Sequence, residues 1–267
     1  MAKLRVAIFD FTDCEGCQVE LVGLREKLTE IADQVDLVRW RLTQERTEPG
    51  PYDIAIVEGT PITKEEQKML QWVREQSKFL IALGSCATLG GIPGIMDKEK
   101  RAYWYKKIYG SKYKPRGLDA PPLSALVKVD FLIHGCPVNG DEVVRVVEEL
   151  LAGKTPKYRG YSVCFECKQA GNPCRLIEGK PRLASTKQRE SRRACLGPIT
   201  QGGCGAICVS GGSACWGCFG LRQEANIDGL LEVLSKIADS DEIEKYLSMF
   251  LKRTEAYQKF KDKAKRK

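Results

Sequence analysis

The sequence predicts an α/β protein: a flavodoxin-like, doubly wound parallel sheet domain followed by a cysteine-rich, mostly irregular domain that closes with helices. Up to about Leu151, short apolar runs alternate with stretches of helical periodicity, the pattern of parallel strands joined by crossover helices. From about Tyr161 to Gly220 that alternation stops and Gly, Pro and Cys dominate. The break falls at Thr155-Pro156, so the expected domains are 1–155 and 156–267. A chain of 267 residues, 43% of them hydrophobic, is long enough for one sizeable core and a smaller second unit.

Five runs read as strands: Leu4 to Phe9, Val35 to Trp40, Ile54 to Val57, Phe79 to Leu83 and Phe131 to Ile133. Between them, Leu21, Leu24, Leu28 and Ile31 fall on one helical face, and Thr63 to Glu66 forms a capping box ahead of Met69, Leu70 and Val73. Asn139 or Asp141 caps a further helix that ends at Gly153. After the cysteine-rich stretch, Ile227 to Ala238 and Asp241 to about Phe260 read as two amphipathic helices. The stretch itself has little apolar periodicity, so bound inorganic groups are expected to supply the cross-links that a core would otherwise supply.

The chain starts directly on an apolar strand with no twin-arginine or hydrophobic leader, and no apolar run approaches membrane-spanning length. The expectation is a soluble, cytoplasmic protein with no membrane partner. In a reducing cytosol, 12 cysteines read as metal ligands or redox groups rather than disulfide staples.

Their positions carry the chemistry. In an open parallel sheet the functional loops leave the carboxyl ends of the strands. Cys14 and Cys17 follow the first strand, Cys86 follows the fourth in Gly84-Ser85-Cys86, and Cys136 follows the fifth in His134-Gly135-Cys136-Pro137. These four thiols are therefore expected at one edge of one sheet. The second half holds Cys164, Cys167, Cys174, Cys195, Cys204, Cys208, Cys215 and Cys218. Paired C-x2-C units also suit zinc, so a structural zinc lobe, in a basic protein contacting nucleic acid, is the competing reading. Against it stand the division of the thiols into three sets of four and the glycine in every loop, which lets backbone amides approach cluster sulfurs.

Cys14-Glu15-Gly16-Cys17, Glu58-Gly59, Gly84-Ser85-Cys86 and Gly135-Cys136-Pro137 resemble the proximal-cluster domain of nickel-iron hydrogenase small subunits. The related cluster subunit of respiratory complex I is similar too, but it usually has adjacent cysteines at the first pair and lacks the second half. Through Cys195-Leu196-Gly197-Pro198 and Cys215-Trp216-Gly217-Cys218 the chain is most similar to the small, or delta, subunits of cytoplasmic hydrogenases linked to NADP or sulfur reduction.

The resemblance implies three 4Fe-4S clusters: a proximal one on Cys14, Cys17, Cys86 and Cys136, a distal one on Cys164, Cys167, Cys174 and Cys195, and a medial one on Cys204, Cys208, Cys215 and Cys218. Cys195 and Cys204 are open to exchange between the last two. Where periplasmic members often place a histidine on the distal cluster this chain has Cys164, and where their medial cluster commonly lacks a fourth cysteine it has Cys208. An added thiolate brings negative charge, so three low-potential clusters are expected. The nickel-iron centre of this family sits on a separate large subunit. All 12 cysteines being assigned, the chain is expected to have no catalytic residue of its own and to relay electrons to an iron-sulfur/flavin diaphorase partner that holds any flavin or NADP site. A cluster subunit of a complex I-like or other oxidoreductase is the alternative.

The remaining candidates have plainer readings. His134, the sole histidine, is expected to be buried and hydrogen-bonded. Glu15 and Glu20 read as ordinary helix-dipole compensation. Trp216, Trp104 and the tyrosines from Tyr103 to Tyr113 suit a partner interface or local packing equally. Gly84 to Gly91 lacks both the P-loop lysine and the G-x-G-x-x-G order. The formal charge of +8 is concentrated in Lys259 to Lys267, read as a solvated end, and in Lys187 to Arg193, placed to offset cluster charge or meet an acidic partner. No nucleic-acid partner is expected.

Overall fold

The computed structural model describes residues 3–117, 119–178 and 194–265. The basic run Lys187 to Arg193 and the last two tail residues lie outside them. Backbone contacts divide the chain into two compact units, Met1–Pro156 and Lys157–Lys267.

The first unit runs β1 (Leu4–Asp10), α1 (Gly16–Gly23), α2 (Glu26–Ala32), β2 (Val35–Trp40), β3 (Tyr52–Glu58), α3 (Lys64–Gln76), β4 (Ser77–Leu83), α4 (Gly84–Leu89), α5 (Lys98–Tyr109), β5 (Phe131–Ile133) and α6 (Gly140–Leu151). Its five strands form one sheet in the order β2-β1-β3-β4-β5, every pair parallel, which is the flavodoxin-like order. Both faces are covered, which explains the nearly unbroken apolar runs. Ala7, Phe9, Ala55 and Val57 pack with Leu70 and Val73 of α3. Alternate residues Val6, Ile8, Ile54 and Ile56 face the other way, where with Leu21, Val143 and Val147 they line an apolar cavity of about 60 Å3. Thr63 makes the expected capping box with Glu66, and Asn139 rather than Asp141 caps α6, accepting from the Asp141 amide.

The helix expected through Leu21 and Ile31 is broken in two. Arg25 takes φ 51°, which separates α1 from α2, yet Leu21, Leu24, Leu28 and Ile31 still line one cavity.

The second unit contains α7 (Val163–Gln169), α8 (Arg175–Glu178), α9 (Ile207–Ser210), α10 (Ile227–Ile237), α11 (Ser240–Phe250) and α12 (Glu255–Lys265). The expected single helix from Asp241 to Phe260 is two, separated at Leu251 to Thr254, where the Thr254 amide and hydroxyl both donate to the Leu251 carbonyl. The turn folds α12 back against α11, with Lys261 Nζ 2.9 Å from Glu244. A second expectation is overturned: the cysteine-rich stretch has a hydrocarbon core. Val163, Leu196, Ile199 and Val209 are buried together with Leu230, Leu234, Leu247 and Phe260 of the closing helices. Isolated apolar residues without periodicity still bury themselves when amphipathic helices supply the complementary face.

Candidate metal centres

The loops that leave the sheet at its carboxyl edge bring together the first four predicted thiols. β1 ends at Asp10; Cys14 lies in the following turn and Cys17 in the first turn of α1. β4 passes directly into α4, which carries Cys86, and β5 ends three residues before Cys136. Burial, followed by the charges of Cys136 and Cys14, pushes the Cys86 thiol up to about 12. Burial and then Glu58 push Cys17 upward, with Cys86 contributing, and Cys136 is raised by burial and by Cys14. Cys14, Cys17, Cys86 and Cys136 thus stand within electrostatic reach of one another. The approach is tight enough to need glycine: Gly84 has φ +81°, and any Cβ there would collide with Cys17 Sγ. At Gly135, φ is +144° and a Cβ would fall 2.5 Å from the Pro137 carbonyl oxygen.

In the second unit Cys164 is raised to about 11 by burial and then by Cys195, Cys167 and Cys174. Cys195, itself buried, is raised by burial and by Cys167 and Cys174. These four thiols form one neighbourhood. Cys204 is raised to about 11 by burial, with contributions from Glu166 and Cys208, and Cys215 is held well above the ordinary thiol value by burial, Cys195 and Cys218. Cys195 lies at the seam, because its Sγ accepts the Cys215 amide at 3.3 Å while its other thiol neighbours are Cys164, Cys167 and Cys174.

One feature of these sites fits iron-sulfur clusters. Backbone amides are aimed at the sulfurs: Gly197 and Cys215 donate to Cys195, Ala206 to Cys204, Gly217 to Cys215, Ile92 to Cys86 and Val138 to Cys17. N–H to sulfur bonds of this kind hold thiolate character and tune cluster potential.

His134 is buried, with Nδ1 2.8 Å from Thr88 Oγ1, and burial lowers its pKa to about 4, as a structural histidine requires. Glu15 is ion-paired with Arg41 at 2.7 Å and Glu20 is exposed. Trp216 stacks on Tyr246 at 4.0 Å, so it is a packing residue, whereas Tyr103, Trp104, Tyr109 and Tyr113 remain exposed.

Three acidic residues had no role assigned from the sequence. Glu58, only 2% exposed, ends β3 and accepts the amides of Cys17 and Gln18 at 3.0 and 3.1 Å, capping α1 from outside the helix. Its place in Glu58-Gly59 was the available signal. Asp13 is raised to about 7 by burial and by Glu58, and its Oδ2 is buried without a hydrogen-bond partner. Glu166 lies between two predicted ligands and bonds to the Gly203 amide.

A flavodoxin-like sheet gathering thiols at its carboxyl edge, followed by a unit with eight more, defines a class of redox cluster protein. The family described as NADH ubiquinone oxidoreductase, 20 Kd subunit, matches residues 14–150. Sulfhydrogenase 2 subunit delta of Pyrococcus furiosus is 34% identical over 248 residues, which span 92% of this chain and 99% of that protein. The delta subunit of the NAD-reducing hydrogenase HoxS of Cupriavidus necator is 30% identical over 168 residues, covering 57% of this chain and 80% of that one. The crystal structure of an NAD+-reducing NiFe-hydrogenase in the H2-reduced state contains a chain with 26% identity and a TM-score of 0.51, covering 58% of this chain and 95% of that one. The chain belongs to the NADH ubiquinone oxidoreductase 20 Kd subunit family and, within it, to the hydrogenase delta-type small subunits.

Proposed function

We propose that this chain is the electron-transfer subunit of a cytoplasmic nickel-iron hydrogenase. In this reading Cys14, Cys17, Cys86 and Cys136 hold a proximal 4Fe-4S cluster. Cys164, Cys167, Cys174 and Cys195 hold a distal one, and Cys204, Cys208, Cys215 and Cys218 a medial one. The observation that carries it is the meeting of four thiols from three separate strand ends at the ligand edge of a flavodoxin-like sheet. The hydrogenase delta-subunit kinship supports the rest of the assembly.

When bound, such clusters supply one-electron transfer. The chain's own residues hold and orient them. The thiolates ligate, amides such as that of Ala206 donate to sulfur, and Glu58 fixes the start of the helix that carries Cys17. Burial of Cys17, Cys167, Cys195 and Cys215 keeps water from those sulfurs. With every cysteine assigned, hydrogen chemistry belongs to a separate large subunit carrying the nickel-iron centre. The names of the relatives, a sulfhydrogenase and an NAD-reducing hydrogenase, favour a diaphorase-type partner acting on NADP or sulfur.

Purification of the native complex tests this. The chain should co-purify with a nickel-containing subunit and carry iron and acid-labile sulfide in the ratio of three 4Fe-4S clusters. A colourless chain with stoichiometric zinc would overturn the cluster reading, and a cluster-loaded complex without nickel would overturn the hydrogenase assignment. A high-potential 3Fe-4S signal in the intact protein would remove the four-thiolate assignment at the medial site.

A further inference from the structure

Within the second unit one carboxylate joins the loops of two thiol sets. Cys164 and Cys167 stand three residues apart on α7 and share a face, while Glu166 between them projects to another side. Its Oε1 accepts the Gly203 amide at 2.7 Å, and its Oε2 lies 3.7 Å from Cys204 Sγ. Gly203 is buried in the turn that delivers Cys204, outside any helix or strand, so the carboxylate gives its amide a partner and the turn an anchor. The second oxygen then faces the sulfur itself.

We propose that Glu166 is a positioning and potential-setting residue for the cluster that Cys204 helps to hold: it pins the Cys204 turn to α7 and its negative charge lowers that cluster's reduction potential. This rests on the reading that Cys204, Cys208, Cys215 and Cys218 hold a cluster. The physical reason is direct. Reduction adds an electron to an already anionic assembly, and a fixed negative charge beside one ligand sulfur opposes it.

The test is an EPR-monitored redox titration of the complete, cluster-loaded protein with Glu166→Gln and Glu166→Asp, with iron and sulfide measured on each. Glutamine keeps an oxygen for the Gly203 amide and removes the charge, so one midpoint potential should move upward while the other two stay. Aspartate keeps the charge but withdraws it by one methylene, so the same midpoint should move upward by less. Three unchanged midpoints in either fully loaded variant, or a downward shift, would overturn the proposal. Loss of one cluster in both variants would overturn the electrostatic role by assigning the carboxylate to folding alone. A wild-type chain with no iron or sulfide would instead overturn the cluster reading beneath it.

Discussion

Both carboxylate oxygens of Glu58 are committed to the start of the helix that carries Cys17, one to the Cys17 amide at 3.0 Å and one to the Gln18 amide at 3.1 Å. The residue belongs to β3 and the helix follows β1, so a sheet pairing made elsewhere positions a sulfur. Gln18 extends the link by accepting from Trp40 Nε1 at 2.7 Å, which ties in β2.

Replacing Glu58 by alanine leaves two buried amides without partners and should cost about 3 kcal/mol of stability. Glu58→Gln keeps one acceptor and should cost about half as much. Urea denaturation of the two variants checks the order, and equal midpoints for wild type and Glu58→Ala would contradict it.

Gly84→Ala places a Cβ onto Cys17 Sγ at a positive φ, and should remove the cluster proposed at the sheet edge while leaving the other two. Iron content of the purified chain should fall by about a third, the share of one cluster among three. Gly23→Ala is the matched control: nothing lies within 4 Å of its Cβ position, and in a helix it should be neutral or stabilising by up to about 1 kcal/mol.

Cys195→Ala and Cys204→Ala should abolish different EPR signals. Cys195 has Cys164, Cys167 and Cys174 around it, whereas Cys204 has Cys208. Because the Cys195 sulfur also accepts the Cys215 amide, its loss should perturb, without removing, the signal that Cys204→Ala abolishes. Loss of the same signal in both variants would show that the two cysteines share a cluster.

His134 gives a pH dependence with a definite sign. Burial holds it at about 4 against 6.5 for the free side chain, so below pH 6.5 the unfolded chain binds a proton that the folded one refuses. Its contribution is complete above about pH 6.5 and is lost as pH falls toward 4, by about 2 kcal/mol at pH 5. His134→Gln, which retains a polar partner for Thr88, should flatten the stability profile between pH 7 and 5 in denaturation curves.

The sheet and its ligand edge were legible because parallel strands buried on both faces read as continuous apolar runs, and Cys14, Cys86 and Cys136 each follow one. Glu58 and Glu166 were hidden for the opposite reason. A carboxylate that caps a neighbouring element leaves no periodic trace, and its partners, Gly203 among them, are far off in sequence. The core of the second unit was hidden too, since Leu196, Ile199 and Val209 are scattered among glycines and acquire a face only when α10 to α12 close over them.

By itself the sequence determined the number of thiols, the sheet that gathers the first set and the kind of metal chemistry such thiols favour, all consequences of local spacing and strand periodicity. Only the tertiary structure decided which thiols are neighbours, with Cys195 beside Cys164 and also touching Cys215, and which amides and carboxylates surround each sulfur. Those contacts are through-space and few, and they join residues too far apart in the chain for local spacing or periodicity to record them.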